Sequence, residues 1–326
     1  MYKTIKMLLY LLAIFFTDFA YAACTTSAGP GKILTFTLSN YTPPSFNPTV
    51  AIGTVLYTQT LNVNGVGTVN CPGGVRKSVY QGVSTYGAYN ATYNTYPTSI
   101  DGIGIRIGPA GSFWPVLPPD RGSNPTITYS AFNIPFALIK TGPITAGGTL
   151  SGEVAGIWVE NYATQVVTIN WAGAVVVQPV VPTCTPATSS MTVNFGSHSA
   201  ASFAGIGSTT PPLPFNLTLN CGGGSAGSNT RVYITLTDLS NPSNISNTLS
   251  LSADSTAKGL GIQIQNNGKL ISYGPDSTSA GNTGQWFAGS AMNGIFSIPL
   301  SANYIRTGSI AAGTANGKAT FTLSYR

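Results

Sequence analysis

Residues 223–227, GGSAG, match by letter the Gly-x-Ser-x-Gly pattern in which many hydrolases place a nucleophilic serine. That chemistry needs a strand–turn–helix around the serine, a histidine base and a carboxylate. The chain has a single histidine, His198, and Ser225 lies in a run of glycine and serine directly after Cys221. Because Gly/Ser runs are typical of flexible loops, we interpret residues 223–227 as a loop and expect no enzyme activity.

Paired carboxylates are a second kind of catalytic site to consider. A glycoside hydrolase needs two carboxyl groups facing each other across a cleft. The only glutamates, Glu153 and Glu160, are seven residues apart on or beside one predicted strand, so their side chains would point to opposite faces. No aspartate stands out as a partner for either one. A secreted hydrolase is therefore kept only as an alternative hypothesis.

The four cysteines, Cys24, Cys71, Cys184 and Cys221, lack the close spacing of a metal site. Four thiols allow three pairings, but two of these cysteines fall in the first half of the chain and two in the second. For an exported protein we therefore predict the disulfides Cys24–Cys71 and Cys184–Cys221. We predict neither a metal nor a cofactor.

A tyrosine-rich stretch, SVYQGVSTYGAYNATYNTYPTS (78–99), can recognise a ligand without transforming it. Tyrosine offers stiff, amphipathic contact area, and small polar neighbours supply adaptable hydrogen bonds, as in antibody loops. Sugars, with apolar faces and hydroxyl rims, suit such a surface. The candidate ligand-binding residues here are Tyr86, Tyr89, Tyr93, Tyr96 and, just after them, Asp101. The alternative for each tyrosine is that its ring faces the core of a strand pair.

A proline-stiffened stretch, GPAGSFWPVLPPDRGSNP (108–125), is the second candidate. Phe113 and Trp114 form an aromatic wedge close to Asp120 and Arg121, a pair that can make directed hydrogen bonds. The alternative is that Trp114 caps a sandwich while Asp120 and Arg121 form an exposed ion pair.

The elements that must position these residues follow from composition and targeting. Lys3 and Lys6, the apolar run MLLYLLAIFF (7–16) and the small residues of AYA (20–22) predict a secretory signal peptide over residues 1–22. Lipoprotein processing at Cys24 is the alternative, and Tyr21 disfavours it because a lipobox would have an aliphatic residue there. The formal net charge is +6, but the basic residues are scattered, so no nucleic-acid partner is predicted.

An internal repeat predicts two domains of one design. GIGIRI (102–107) is echoed by GLGIQI (259–264), and IKTGPITAG (139–147) by IRTGSIAAG (305–313). Short alternating strands between Gly/Pro/Asn-rich turns predict an all-β protein with a β-sandwich in each half. The predicted domain limits are 23–176 and 184–326, joined by a Pro-rich linker, 177–183.

Comparing the two halves also predicts that the second sandwich lacks its last strand. EVAGIWVE (153–160) aligns with ATFTLSYR (319–326), but the first half continues through QVVTINWAGAVVV (165–177), one further strand or two. A sandwich short of a strand exposes an apolar groove and unpaired backbone groups. We expect another protein to donate the missing strand.

The second half combines Cys184 and Cys221 with NYIRTGSIAAGTANGKATFTLSYR (303–326), which contains Gly313 and the penultimate Tyr325. With these residues the chain, over essentially its whole mature length, resembles the tip adhesins of chaperone–usher fimbriae, especially the two-domain adhesins of the type 1 and type 3 fimbrial kind. In the first half the resemblance rests on ACTTS (23–27), on GTLSGEVAGIWV (148–159) and on TINWAGAVVVQPVVPTC (168–184).

The resemblance implies two immunoglobulin-like sandwiches, the second an incomplete pilin domain. A periplasmic chaperone would fill the groove, and at an outer-membrane usher the N-terminal extension of the next subunit would replace it by donor-strand complementation. The implied interface residues are Gly313, Ala319, Phe321, Leu323, Tyr325 and Arg326.

The resemblance further implies a position at the fimbrial tip on the bacterial surface. Cys24 would be the second mature residue, which leaves no extension to donate, so 23–176 would be a lectin-like receptor-binding domain. The type 1 mannose pocket does not carry over, because residue 23 is Ala and the loop ENYATQ (160–165) is short. The receptor would be another glycan or a matrix protein. A minor pilin or adaptor without receptor binding is the alternative.

Overall fold

The computed structural model describes residues 24–326 except 73, 75, 76, 121, 123 and 124. The predicted signal peptide, 1–22, and the candidate ligand residue Arg121 lie outside the described residues. The described chain is built of β-strands, with one short 3₁₀ helix, Ala200–Ser202, so the predicted all-β class is confirmed. None of its helices is long and apolar enough to cross a bilayer.

The described part of the first half contains thirteen strands, in keeping with its alternating apolar residues and frequent turns. They are β1 (Thr25–Thr26), β2 (Leu34–Leu38), β3 (Val55–Asn64), β4 (Gly67–Asn70), β5 (Val79–Gly82), β6 (Tyr96–Pro97), β7 (Ile103–Ile107), β8 (Thr126–Tyr129), β9 (Phe132–Lys140), β10 (Gly148–Leu150), β11 (Glu153–Val159), β12 (Thr164–Trp171) and β13 (Val175–Val177).

The second half contains eight strands, one of them long enough to pair with two neighbours along its length. They are β14 (Thr183–Pro186), β15 (Leu213–Gly222), β16 (Thr230–Asp238), β17 (Lys258–Asn266), β18 (Lys269–Leu270), β19 (Trp286–Ala291), β20 (Gly294–Ala311) and β21 (Ala319–Tyr325).

One continuous eight-stranded sheet, ordered β5-β11-β12-β2-β3-β9-β7-β6, dominates the first half. Side chains from strands along its whole width bury into one cluster, among them Phe36, Leu61, Phe136 and Ile157. A small sheet, β1-β4-β8, and the pair β10-β13 complete this half. The strands of this half therefore share a single apolar core, as the layers of one domain do.

The second half has two separate sheets instead of one. Five strands are ordered β14-β15-β20-β17-β18 and three are ordered β19-β16-β21. Their shared core includes Leu219, Ile234, Tyr273 and Ile298.

The repeated sequence motifs pair with each other in the same register in both halves. Gly104 lies opposite Ile139 and Ile103 opposite Lys140. In the second half Gly261 lies opposite Ile305, and Leu260 opposite Arg306. The sequence repeat is thus a repeat of one strand pair, β7-β9 in the first half and β17-β20 in the second.

Both predicted disulfides are present: Cys24 is bonded to Cys71, and Cys184 to Cys221. Cys184 and Cys221 are direct cross-strand neighbours on β14 and β15. Each bridge therefore lies within one half of the chain.

Strand β12 marks the main difference between the halves. It pairs with β11 in antiparallel fashion and with β2 in parallel, and so joins β5-β11 to the rest of the large sheet. In the second half β21 pairs with β16 alone. Residues 191–195, MTVNF, alternate as β2 does (LTFTL) but belong to no strand. In the described chain, no strand joins β21 to the five-stranded sheet.

Candidate functional site

The tyrosine-rich stretch folds into a compact loop around Asn90. The backbones of Asn90 and Thr95 exchange hydrogen bonds of 2.8 and 3.1 Å. The Asn90 side-chain oxygen accepts from the backbone N–H of Tyr93 at 3.3 Å. The Tyr89 hydroxyl donates to the side-chain oxygen of Asn94 at 2.9 Å. These contacts hold the loop in one shape, as a preorganised recognition surface requires.

The four candidate tyrosines do not share one environment. Tyr86 is 56% exposed, whereas Tyr96 is only 4% exposed and stacks obliquely on Tyr89, with ring centroids 5.0 Å apart. Tyr89 and Tyr93 are half-buried, and the Tyr93 ring covers Gly53, where an added Cβ would lie 3.2 Å from it. Burial raises the pKa of the Tyr96 phenol, which therefore stays neutral.

Tyr86 and Tyr96 meet in a cleft, which we call the tyrosine cleft. Its other walls include Pro97 and Ser99 after the loop, Ser151 and Glu153 at the start of β11, and Trp171 at the end of β12. The Glu153 carboxylate accepts a hydrogen bond from the Gln165 side chain. The cleft thus combines aromatic rings with hydroxyl groups and one carboxylate, a mixture that suits a polar ligand with an apolar face.

The two aromatic residues of the second candidate stretch, Phe113 and Trp114, lie in different environments. Phe113 is half-buried, and the Arg106 guanidinium lies over its ring, 4.7 Å from the centroid. Trp114 is only 4% exposed, and its ring lies 5.7 Å from that of Tyr80. Trp114 therefore packs in the core, as the capping alternative expects, and has little surface for a ligand.

The two candidate aspartates are on the surface. Asp101 is exposed in the turn before β7, and it lines neither described cleft. Asp120 is also exposed, and its carboxylate accepts from the backbone N–H of Gly122 at 2.9 Å. Its predicted partner, Arg121, is outside the described residues.

Sequence reasoning missed several residues that line the clefts. Glu153 was considered only as a catalytic acid, and Trp171 only as part of a strand. Arg106 lines a second cleft with Thr58 and Ala137. A signal for Arg106 was present in the sequence, because it is the one charge in the otherwise apolar GIGIRI.

The inner face of β21 is the second candidate interface. Ala319, Phe321, Leu323 and Tyr325 pack against the core of the second half, yet all four are only half-buried. In β11 the equivalent residues Ile157 and Val159 are completely buried. The difference follows from pairing, since β12 covers the edge of β11 and no described strand covers that of β21.

The end of β21 contacts both sheets of the second half. The Tyr325 hydroxyl donates to the backbone carbonyl of Cys184 at 2.6 Å. Burial raises the pKa of the Tyr325 phenol, although this hydrogen bond lowers it in part. The Arg326 guanidinium lies over the Tyr233 ring, 4.4 Å from its centroid. The Tyr325 side chain therefore links the end of β21 to β14 in the five-stranded sheet.

Gly313 lies in the segment before β21, which packs closely against residues 256–257. A Cβ there would lie 2.4 Å from the side-chain oxygen of Thr256 and 2.5 Å from the backbone N of Ala257. Only glycine fits without displacing this neighbouring segment.

The Gly-x-Ser-x-Gly letters do not form a nucleophile elbow. Ser225 lies between Gly222, the end of β15, and Thr230, the start of β16, so its context is strand–loop–strand. The one described group of metal-type ligands, Cys24, Cys71 and Glu160, contains two sulfurs that are already joined in a disulfide.

Two family models match the chain, one in each half. Residues 45–177 match the MrkD-like receptor binding domain, and residues 169–326 match the fimbrial protein family.

Similar proteins are fimbrial adhesins. The chain is 36% identical over 141 residues to the F17c-G fimbrial adhesin of Escherichia coli, covering 42% of this chain and 40% of that protein. It is 27% identical over 229 residues to a fimbria adhesin protein of Klebsiella pneumoniae, covering 67% and 70% of the two chains. The match thus spans about two-fifths of the length of the F17-G relatives. The CupB6 tip adhesin of Pseudomonas aeruginosa is 18% identical, with 92% of each chain covered and a TM-score of 0.42.

Proposed function

We propose, from the premise that this chain is a two-domain fimbrial adhesin of the chaperone–usher class, that it binds a receptor through residues 23–176 and joins a fimbria through residues 184–326. It is an adhesive and structural protein and not an enzyme. Residues 177–183 would be the linker between the two domains. Its place would be the fimbrial tip on the bacterial surface, reached through the periplasm.

One observation carries the assembly half of the proposal. In the first half β12 joins β5-β11 to the rest of the large sheet, whereas in the second half no described strand joins β21 to the five-stranded sheet, and residues 191–195 belong to no strand. A strand laid along β21 would pair with its free backbone groups and merge the two sheets. A periplasmic chaperone would supply that strand first, and the next subunit would supply it after export through the usher.

The inner face of β21 offers a reason for the added strand to bind. Completing the burial of Phe321 and Leu323 would contribute roughly 1 kcal/mol for each side chain, at about 25 cal/mol per Å² of apolar surface. Backbone hydrogen bonds along the seven residues of β21 would add directionality.

For the binding half, the tyrosine cleft is the proposed receptor site. It presents the exposed Tyr86, the hydroxyl groups of Ser99 and Ser151 and the Glu153 carboxylate beside the large sheet. Such a surface suits a glycan or a matrix protein such as collagen. In this proposal Phe113, Asp101 and Asp120 are outside the main contact.

The test uses the full chain purified with its chaperone and screened on glycan and extracellular-matrix arrays. Tyr86→Ala should weaken binding about tenfold or more, since exposed tyrosines often dominate recognition. Tyr162→Ala, which truncates another exposed tyrosine of the same half, is the matched control. A chain that assembles into fimbriae but binds nothing on either array would be a minor structural subunit and would refute the adhesin proposal.

A further inference from the structure

The second cleft of the first half, which we call the arginine recess, is built on three neighbouring strands. Arg106 on β7 lies opposite Ala137 on β9, and Ala137 lies opposite Thr58 on β3. These three residues therefore form a row across the sheet, and all of them line the recess. The small side chain of Ala137 leaves space between the longer Arg106 and Thr58.

The Arg106 guanidinium is oriented but unpaired. It lies over the Phe113 ring at 4.7 Å, a stacking that restricts its plane. It forms no ion pair or hydrogen bond with any residue in the described part of the chain. Its N–H donors are thus available, in the fork that matches a carboxylate or sulfate. An unpaired guanidinium that is already oriented loses little entropy when it binds such a group.

The loop that carries Phe113 is held at both ends. The Gly108 N–H donates to the Pro135 carbonyl at 2.8 Å, and the Trp114 N–H donates to the Ile107 carbonyl at 2.8 Å. The Trp114 side chain is buried in the core. Trp114 therefore acts as a positioning residue that keeps Phe113 beside Arg106.

Thr58 indicates that the ligand should also carry a hydrogen-bond donor. Its hydroxyl donates to the Phe136 carbonyl at 3.2 Å, so its oxygen remains able to accept a hydrogen bond. A ligand for the recess should then carry an anionic group for Arg106 and a hydroxyl donor for Thr58. A saccharide with an acidic substituent has both within one ring.

We infer that the arginine recess binds a saccharide bearing a carboxylate or a sulfate group. None of the residues that line the recess is acidic, whereas the tyrosine cleft contains Glu153. An anion is therefore attracted to the arginine recess and repelled from the tyrosine cleft. The inference rests on the proposed function, because it assumes that the first half binds a receptor, and it goes beyond that function by adding a second binding site apart from the tyrosine cleft.

The experiment measures binding of three probes to the full chain purified with its chaperone: 6′-sialyllactose, 6′-sulfolactose and lactose. The sialyl probe carries a carboxylate and the sulfo probe a sulfate, so the two arms distinguish the sources of the anion. We expect at least one acidic probe to bind tenfold more tightly than lactose. Raising the salt concentration should weaken that binding.

Three variants test the assignment to Arg106. Arg106→Gln should lose at least tenfold of the acidic-probe affinity. Arg106→Lys should lose several-fold, because an ammonium group keeps the charge but not the fork. Lys32→Gln, which removes one exposed positive charge elsewhere in the first half, should change little. Chaperone co-purification and an unchanged circular dichroism spectrum show that each variant is folded.

The inference is overturned if lactose binds as well as both acidic probes, if neither acidic probe binds at millimolar concentration, or if Arg106→Gln binds like the unaltered chain. Preference for an acidic peptide over all three saccharides also overturns it. Adhesion of whole fimbriae to receptor arrays distinguishes a failure of the recess assignment from a failure of the proposed function. If adhesion persists while acidic probes fail, only the recess assignment is wrong, whereas absent adhesion refutes the proposed function itself.

Discussion

Lys140 and Arg306 are equivalent residues of the two repeats, and each secures a backbone segment that is distant in sequence. The Lys140 ammonium donates to the carbonyl of Val50 at 2.7 Å and also to that of Pro48. The Arg306 guanidinium donates to the carbonyls of Phe203, at 3.2 Å, and Gly308, at 2.9 Å. The basic residue of each motif therefore has a structural role, in which it satisfies buried carbonyl groups.

Replacing Lys140 tests this role. Lys140→Met keeps the length of the side chain but leaves two carbonyls without a donor, so we expect the free energy of unfolding of the first half to fall by about 2 kcal/mol. Denaturant unfolding of the chain, followed by a probe in that half, measures the change. Lys32→Met, at an exposed position, is the control. Equal stabilities of the two variants would contradict the structural role.

Asp238 organises the loop after β16. Its carboxylate accepts from the backbone N–H of Ser240 at 2.9 Å, of Asn241 at 3.1 Å and of Ser250 at 2.9 Å, and from the Asn244 side chain at 2.9 Å. Burial by itself raises the pKa of Asp238, but the hydrogen bonds outweigh burial and leave this pKa below its usual range.

Because the pKa of Asp238 is lower in the folded state than in the unfolded state, this residue makes the free energy of unfolding fall as the pH is lowered. The carboxylate of Asp238 stabilises the fold fully above the unfolded-state pKa of about 3.9, and this stability is lost as the pH falls through the lower folded-state pKa. Asp238→Asn should therefore lower the free energy of unfolding at pH 7 by about 1–3 kcal/mol. The difference from the unaltered chain should shrink at pH 3. Thermal unfolding at both pH values measures it, and a difference that stays constant would refute the assignment.

At the scale of elements, β21 combines a complete strand pattern with incomplete burial. Its partner β16 covers one edge over seven residue pairs, from Val232–Tyr325 to Asp238–Ala319. Its inner face remains half-exposed. An uncovered edge strand of this kind is prone to aggregate, which is why the proposed function places a strand of a second chain along it.

A charge on the inner face should prevent capture by the chaperone. Phe321→Asp or Tyr325→Asp would place a carboxylate where a donated strand must pack, at a cost of several kcal/mol. We expect loss of co-purification with the chaperone and loss of surface display. Thr320→Asp, on the exposed outer face, is the matched control. Normal display of Phe321→Asp would contradict the assembly role of β21.

At the scale of the whole molecule, the two halves should differ in how they respond to an added strand. In the first half β12 completes the large sheet, whereas the second half has two separate sheets. An alternating apolar peptide, fused after Arg326 through a short turn, should raise the unfolding temperature of the second half only. Differential scanning calorimetry resolves the two transitions. The same peptide with serine at its apolar positions should have no effect, and an equal response of both halves would exclude the missing-strand proposal.

Much of the fold could be predicted, since the relevant signals are local or repeated. Side-chain alternation indicated β21 and β11, and the distribution of cysteines predicted both disulfides correctly. The repeat of GIGIRI and IKTG predicted two similar halves, and these motifs pair in one register in both. Such signals survive in a single sequence because the period of a strand is a property of its own backbone.

The candidate binding surfaces were predictable only in part. Tyrosine content identified a stretch that lines a cleft, but the spacing of Tyr86 and Tyr96 did not reveal that one is exposed and the other buried. Phe113 and Trp114 are adjacent in sequence, yet one faces a cleft and the other the core. Neighbouring residues point to different environments whenever the chain turns between two layers.

By itself, the sequence determined that this protein is all-β, disulfide-bonded within each half and internally repeated. Only the tertiary structure decided that Arg106 meets Phe113 and Thr58 in one recess, and that Glu153 belongs to the cleft of Tyr86. It also decided which edge of β21 has no described partner. The physical reason is distance along the chain. The alternation of side chains is set by the backbone of adjacent residues, so the sequence shows it directly. Clefts and free strand edges depend on which strands pair, and those strands are remote from each other in the sequence.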